Sequence, residues 1–71
     1  MKRYAIIVED AGQNLAAYVP DLPGCVATAD TRDELNVLIR EAIELHIEGM
    51  IEDGLPVPEP SSRVDYVEVA A

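Results

Sequence analysis

Pro20-Asp21-Leu22-Pro23-Gly24-Cys25-Val26-Ala27-Thr28-Ala29-Asp30-Thr31 is the stretch that decides how this chain folds. Pro23 fixes its φ near the value needed at the second position of a β-turn, and Gly24 tolerates the positive φ required at the third position of a type II turn. Leu22 to Cys25 are therefore expected to reverse the chain sharply. Cys25 to Ala29 continue as small and β-branched residues into Asp30-Thr31. There Thr31, followed three residues later by Glu34, spells a capping box that opens a helix. One short segment thus redirects the chain twice: a β-hairpin precedes it, and a helix and a last strand follow.

Upstream, Arg3 to Glu9 are rich in Tyr, Ile and Val, Asp10-Ala11-Gly12-Gln13-Asn14 form a turn cluster, and Leu15 to Val19 resume the apolar run. Tyr4, Ile6 and Val8 share one face of this hairpin, and Ala5 and Ile7 the other. With both faces apolar, one is expected to take the helix and the other to be left for a second subunit.

Downstream, the pattern predicts a helix from about Arg32 to Asp53, closed by Gly54 at C′ and guarded by Pro56. Steps of about 100° per residue place Leu35, Leu38, Ile39, Ala42, Leu45, His46, Gly49 and Met50 on a core arc, with Arg40, Glu41, Glu44, Glu48 and Glu52 opposite. Ile43, Ile47 and Ile51 follow at four-residue spacing along the arc's edge. They widen the apolar surface beyond an ordinary stripe, so Ile47 and Ile51 are candidate subunit or partner contacts. Gly49 fits either a close backbone approach or fraying toward Gly54. Pro56, Pro58 and Pro60 then impose a stiff extended return arm, and Val64 to Val69 alternate as a final strand.

The composition bounds what such a chain can do. Its 71 residues read as one domain, 1–71, with a marginal core, and the absence of Trp and Phe strengthens the case for subunit packing. Fourteen acidic against five basic residues give a net charge of −9, which argues against nucleic acid and anionic membranes and favours a basic protein partner. A lone Cys cannot staple the fold, so a reducing cytoplasm is the expected compartment. The apolar run after Lys2-Arg3 breaks at Glu9-Asp10, too early for a signal or a span. Nucleophilic catalysis would need Cys25 to meet His46, yet His46 reads as a hydrogen-bonded core residue and Cys25 as a packed small hydrophobe. No cofactor or metal motif is present.

Pro20-Asp21-Leu22-Pro23-Gly24-Cys25, Asp30-Thr31, Glu34, Glu41-Ala42, His46, Asp53-Gly54, Pro56 and Tyr66-Val67-Glu68-Val69 together resemble the HicB family of bacterial antitoxins. The resemblance covers nearly the whole chain. It implies an α+β domain of order β-β-β-α-β, a two-layer, partly formed ribonuclease H-like sheet crossed by one helix. It further implies binding and neutralisation of HicA, a small basic toxin with a double-stranded-RNA-binding-like fold that cleaves mRNA with a histidine. Family members that repress their own operon carry a C-terminal DNA-binding segment; the sequence reaches Ala71 without one, so direct DNA binding is not expected. Ala29 stands where the family often has Gly before the Asp-Thr pair.

The expectation is therefore a non-enzymatic, homo-oligomeric antitoxin, a homodimer or larger. Its partner contacts are sought at Asp21, Leu22, Glu44, Ile47, Glu48 and Ile51. The alternatives are a reduced ribonuclease H-like metal-dependent nuclease using Asp21, Asp30 and helix glutamates, and an orphan structural oligomer.

Overall fold

The computed structural model describes residues 2–71. Three strands, β1 (Ile7–Asp10), β2 (Leu15–Tyr18) and β3 (Val26–Ala29), form an antiparallel sheet in the order β1-β2-β3, and one helix, α1 (Arg32–Glu52), follows. The hairpin register pairs Ile7 with Tyr18 and Asp10 with Leu15, and the next pair sets Tyr18 against Val26 and Leu15 against Ala29.

The decisive segment is a double turn. The Leu22 N–H donates to Val19 O at 3.1 Å and the Cys25 N–H to Leu22 O at 3.0 Å, while the Val19 N–H donates to Cys25 O at 3.1 Å and closes the loop. Gly24 has φ +86°, as the type II geometry requires. At the helix entrance the Thr31 hydroxyl accepts the Glu34 N–H at 3.2 Å. At the exit, Asp53 caps, Gly54 takes φ +71°, the Gly54 N–H donates to Ile51 O and the Leu55 N–H to Met50 O. These paired bonds form a Schellman motif.

Alternation puts Leu15 and Ala17 on the inner face of β2, and Val19 continues that side just past its end. Ala17, Val19, Leu22, Cys25, Ala29, Leu35 and Ile39 make up the buried core. The small residues of β2 and β3 let the helix come close, and α1 packs over β3 and β2. Along α1 the packed stripe is Leu35, Leu38, Ile39, Ala42, Ile43 and Ile47. That stripe is rotated from the expected arc: Leu45 is 69% exposed, and His46 is half-buried rather than a core histidine. The reason is that apolar residues occupy most of the helix circumference, and the sheet selects among them. A Cβ added to Gly49 would meet nothing within 4 Å, so no close approach accounts for that glycine.

The return arm runs back to the segment before β1 and to the turn after β2. The Tyr4 hydroxyl donates to Pro58 O at 2.6 Å, and Lys2 pairs with Glu59 at 3.0 Å. The expected closing strand over Val64–Val69 is not formed. This segment pairs with no strand and is exposed throughout, Tyr66 by 87% and Val67 by 84%. A strand exists only through an edge that receives it, and after Ser62 the arm does not lie along one. The observed fold is thus β-β-β-α, an α+β arrangement of one sheet and one helix.

Gly24→Val should lower stability by about 1–3 kcal/mol through backbone strain, because a Cβ at Gly24 meets no neighbour within 4 Å and sterics add nothing. Thermal melting is the check, each kcal/mol corresponding to about 4–8 °C in a domain of this size. An unchanged melt would contradict the positive-φ turn.

Candidate functional site

The residues singled out from the sequence fall in three places. Glu44 and Glu48 are exposed on α1 at i, i+4 spacing, and Glu41 and Glu52 are exposed with them, so the helix presents an acidic surface with no basic residue in its last turn. Ile51 is exposed near the same end, whereas Ile47 is half-buried and packs against the core.

Leu22 is fully buried, and this corrects its reading as a partner anchor. Tucked inside the double turn, it fixes the loop to Leu35 and Ile39 and presents no surface. Asp21, its neighbour, is engaged within the chain. Its carboxylate accepts the backbone N–H of Ser62 and of Ser61, each at 2.9 Å, and the hydroxyls of Ser62 at 2.8 Å and Ser61 at 3.1 Å. Both Ser62 donors, opposed by desolvation and aided less strongly by those of Ser61, hold the Asp21 carboxyl below its usual 3.8. Asp21 is therefore the clamp that fastens the return arm to the turn.

The sequence reading missed a groove. Between the segment leading into β1 and the flank of α1 lies an open cleft of about 870 Å³ with Tyr4, Ile6, Ile39, Ile43 and Ile47 as its apolar lining. Lys2, Arg3 and Arg40 stand on its rim, together with Asn36 and Glu44. It arises because α1 covers β3 and β2 and leaves the inner side of the β1 segment open. The signal was available: Asn36, Arg40, Ile43, Glu44 and Ile47 share one helical stripe at i, i+4, i+7, i+8 and i+11. Of the six predicted contacts, Glu44 and Ile47 meet in this cleft, and Asp21, Leu22, Glu48 and Ile51 do not line it.

The chemical alternatives lack a constellation. Among the described residues no three His, Cys, Asp or Glu side chains gather at metal-binding distances. Burial pushes the Cys25 thiol up, so it sits in the core as a protonated, unreactive group. No helix among the described residues is long and apolar enough to cross a membrane.

Because the folded Asp21 carboxyl is depressed, its clamp stabilises the arm above pH 3.8 and is lost as pH falls through the depressed value. The Ser61 and Ser62 amide resonances should titrate in that acid range. In Asp21→Asn that titration should vanish and both amides should exchange faster at neutral pH, with the melting of the core little changed. Identical exchange in parent and variant would remove the clamp.

Comparison with known proteins places this geometry. The family described as HicB_like antitoxin of bacterial toxin-antitoxin system matches residues 4–70. A protein of Haemophilus phage HP1, described as an uncharacterized 14.9 kDa protein in the rep-hol intergenic region, is 38% identical over 64 residues. The match takes in 90% of this chain and 48% of the phage protein, so the chain spans about half the length of that relative. A UPF0150 protein of Archaeoglobus fulgidus is 42% identical over 55 residues, covering 73% of this chain and 80% of its own. Among solved structures, a chain of a HicA3 and HicB3 toxin-antitoxin complex superposes with a TM-score of 0.74 at 28% identity, covering 84% of this chain and 70% of that one. The double turn, the capped helix and the return arm all lie inside the matched span, and the chain belongs to the HicB-like antitoxin family.

Proposed function

We propose that this protein binds and neutralises a small basic HicA-like toxin in the cytoplasm, acting as a homo-oligomer and carrying out no chemistry of its own. The observation that carries this reading is the structural likeness, at a TM-score of 0.74, to a chain of a toxin-antitoxin complex. The charge supports it: a net −9 on 71 residues suits a cationic partner, and Glu41, Glu44, Glu48 and Glu52 stand exposed on one helix.

In this reading the helix glutamates act at long range, steering the partner inward, while the exposed apolar helix flank at Ile51 supplies desolvated contact that sets residence time. Direct DNA binding by residues 1–71 is not part of the mechanism, since the same charge opposes phosphate.

Co-expression with the small basic protein of the adjacent reading frame, and recovery of both through one tag, tests the pairing. Against that protein immobilised on a surface, Glu44→Lys with Glu48→Lys should slow association about tenfold at low salt. The difference should shrink once ionic strength brings the Debye length to about 8 Å. The dissociation rate and the fold should change little, because exposed substitutions shift stability by about 0.5 kcal/mol or less. A salt-independent, unchanged on-rate would assign these glutamates to solubility alone.

A further inference from the structure

The groove beside β1 has a chemistry at odds with the rest of the surface. In a chain of net charge −9 with five basic residues, three of those five, Lys2, Arg3 and Arg40, stand on its rim. Among the described residues only Lys2 of these three is ion-paired, to Glu59. The lining below them is isoleucine and tyrosine, with Glu44 the one carboxylate at the edge. Such a site selects an occupant that is apolar and acidic at once, the opposite of a basic toxin.

The chain itself carries a segment of that kind. Val64-Asp65-Tyr66-Val67-Glu68-Val69 alternates as a strand does, has two carboxylates, and pairs with nothing in its own subunit. β1 lies at the edge of the sheet, so its outer N–H and C=O groups are open to a further strand. Lengths agree: six extended residues span about 20 Å, and the helix flank from Asn36 to Ile47 about 16 Å. The arm does not deliver this segment to its own groove. Its four bonds to Asp21 fix Ser61 and Ser62 at the turn after β2, and Asp21 lies outside the groove lining.

We propose that Val64–Val69 of one copy of this chain enters the groove of a second copy and adds a strand at its β1 edge. Val67 and Val69, on one face of the added strand, cover the isoleucine floor, and Asp65 on that same face meets the cationic rim. Reciprocal exchange closes a two-fold dimer in which each copy completes the other. The proposal rests on the self-association stated above and is independent of the toxin.

Light scattering on the full chain at micromolar concentration reads the mass of the parent, of Val67→Asp with Val69→Asp, and of Arg40→Glu. The parent should be a dimer. Both variants should weaken dimerisation at least tenfold while keeping the parent's circular dichroism, since Val67 and Val69 are exposed tail residues and Arg40 is exposed on the helix. Combining Arg40→Glu with Asp65→Arg should recover part of the loss. In a mixture of isotope-labelled and unlabelled chains, nuclear Overhauser contacts from Val67 and Val69 to Ile43 should run between copies. A monomeric parent would sink self-association and exchange together. A parent dimer untouched by the tail substitutions, or tail contacts confined to one copy, would remove the exchange and leave self-association standing.

Discussion

Burial of Leu22 is the constraint on which this structure depends. A turn normally projects its side chains into solvent, yet here the loop is wound so that its central leucine joins Leu35 and Ile39 inside. Full burial of one such side chain is worth about 1.5–3 kcal/mol, a large share for a domain this small. Three backbone bonds among Val19, Leu22 and Cys25 make that possible, since they satisfy the polar groups that burial would otherwise strand. The direction of β3 follows from the turn, and the position of Thr31 and the helix axis follow from β3.

The placement of the helix then has two outcomes. By covering β3 and β2 it completes the core, and by leaving the β1 segment uncovered it creates the groove. The core is built from small residues on the sheet side, Ala17, Cys25 and Ala29, so it is thin, and the helix must supply the bulk. A thin core closed by one helix leaves apolar surface over on the helix itself, at Leu45 and Ile51. Such surface is what the association proposed above would use.

Much of this was legible in the residues because backbone chemistry is local. Pro23-Gly24 specifies a turn, Thr31 a cap and Gly54 a Schellman exit, and each needs only its immediate neighbours. The misreadings share another cause, dependence on partners distant in sequence. Leu45 and Ile43 are both apolar yet lie nearly opposite on the helix, and only the sheet's position decides that Ile43 packs and Leu45 does not. Asp21 reads as a turn carboxylate, and its attachment to Ser61 and Ser62, about forty positions away, has no local signature. The alternation of Val64–Val69 records a capacity to pair and says nothing of where the pairing edge lies. The groove was missed because its two walls come from opposite ends of the element order.

Spatial order in this sheet follows chain order, each strand pairing with the one just made and the helix folding back onto the last two. Most contacts among these elements are therefore between elements consecutive in the chain, a pattern that favours fast collapse. Closing the clamp between Asp21 and its two serines joins positions about forty apart, a longer loop than any of the strand pairings has to close.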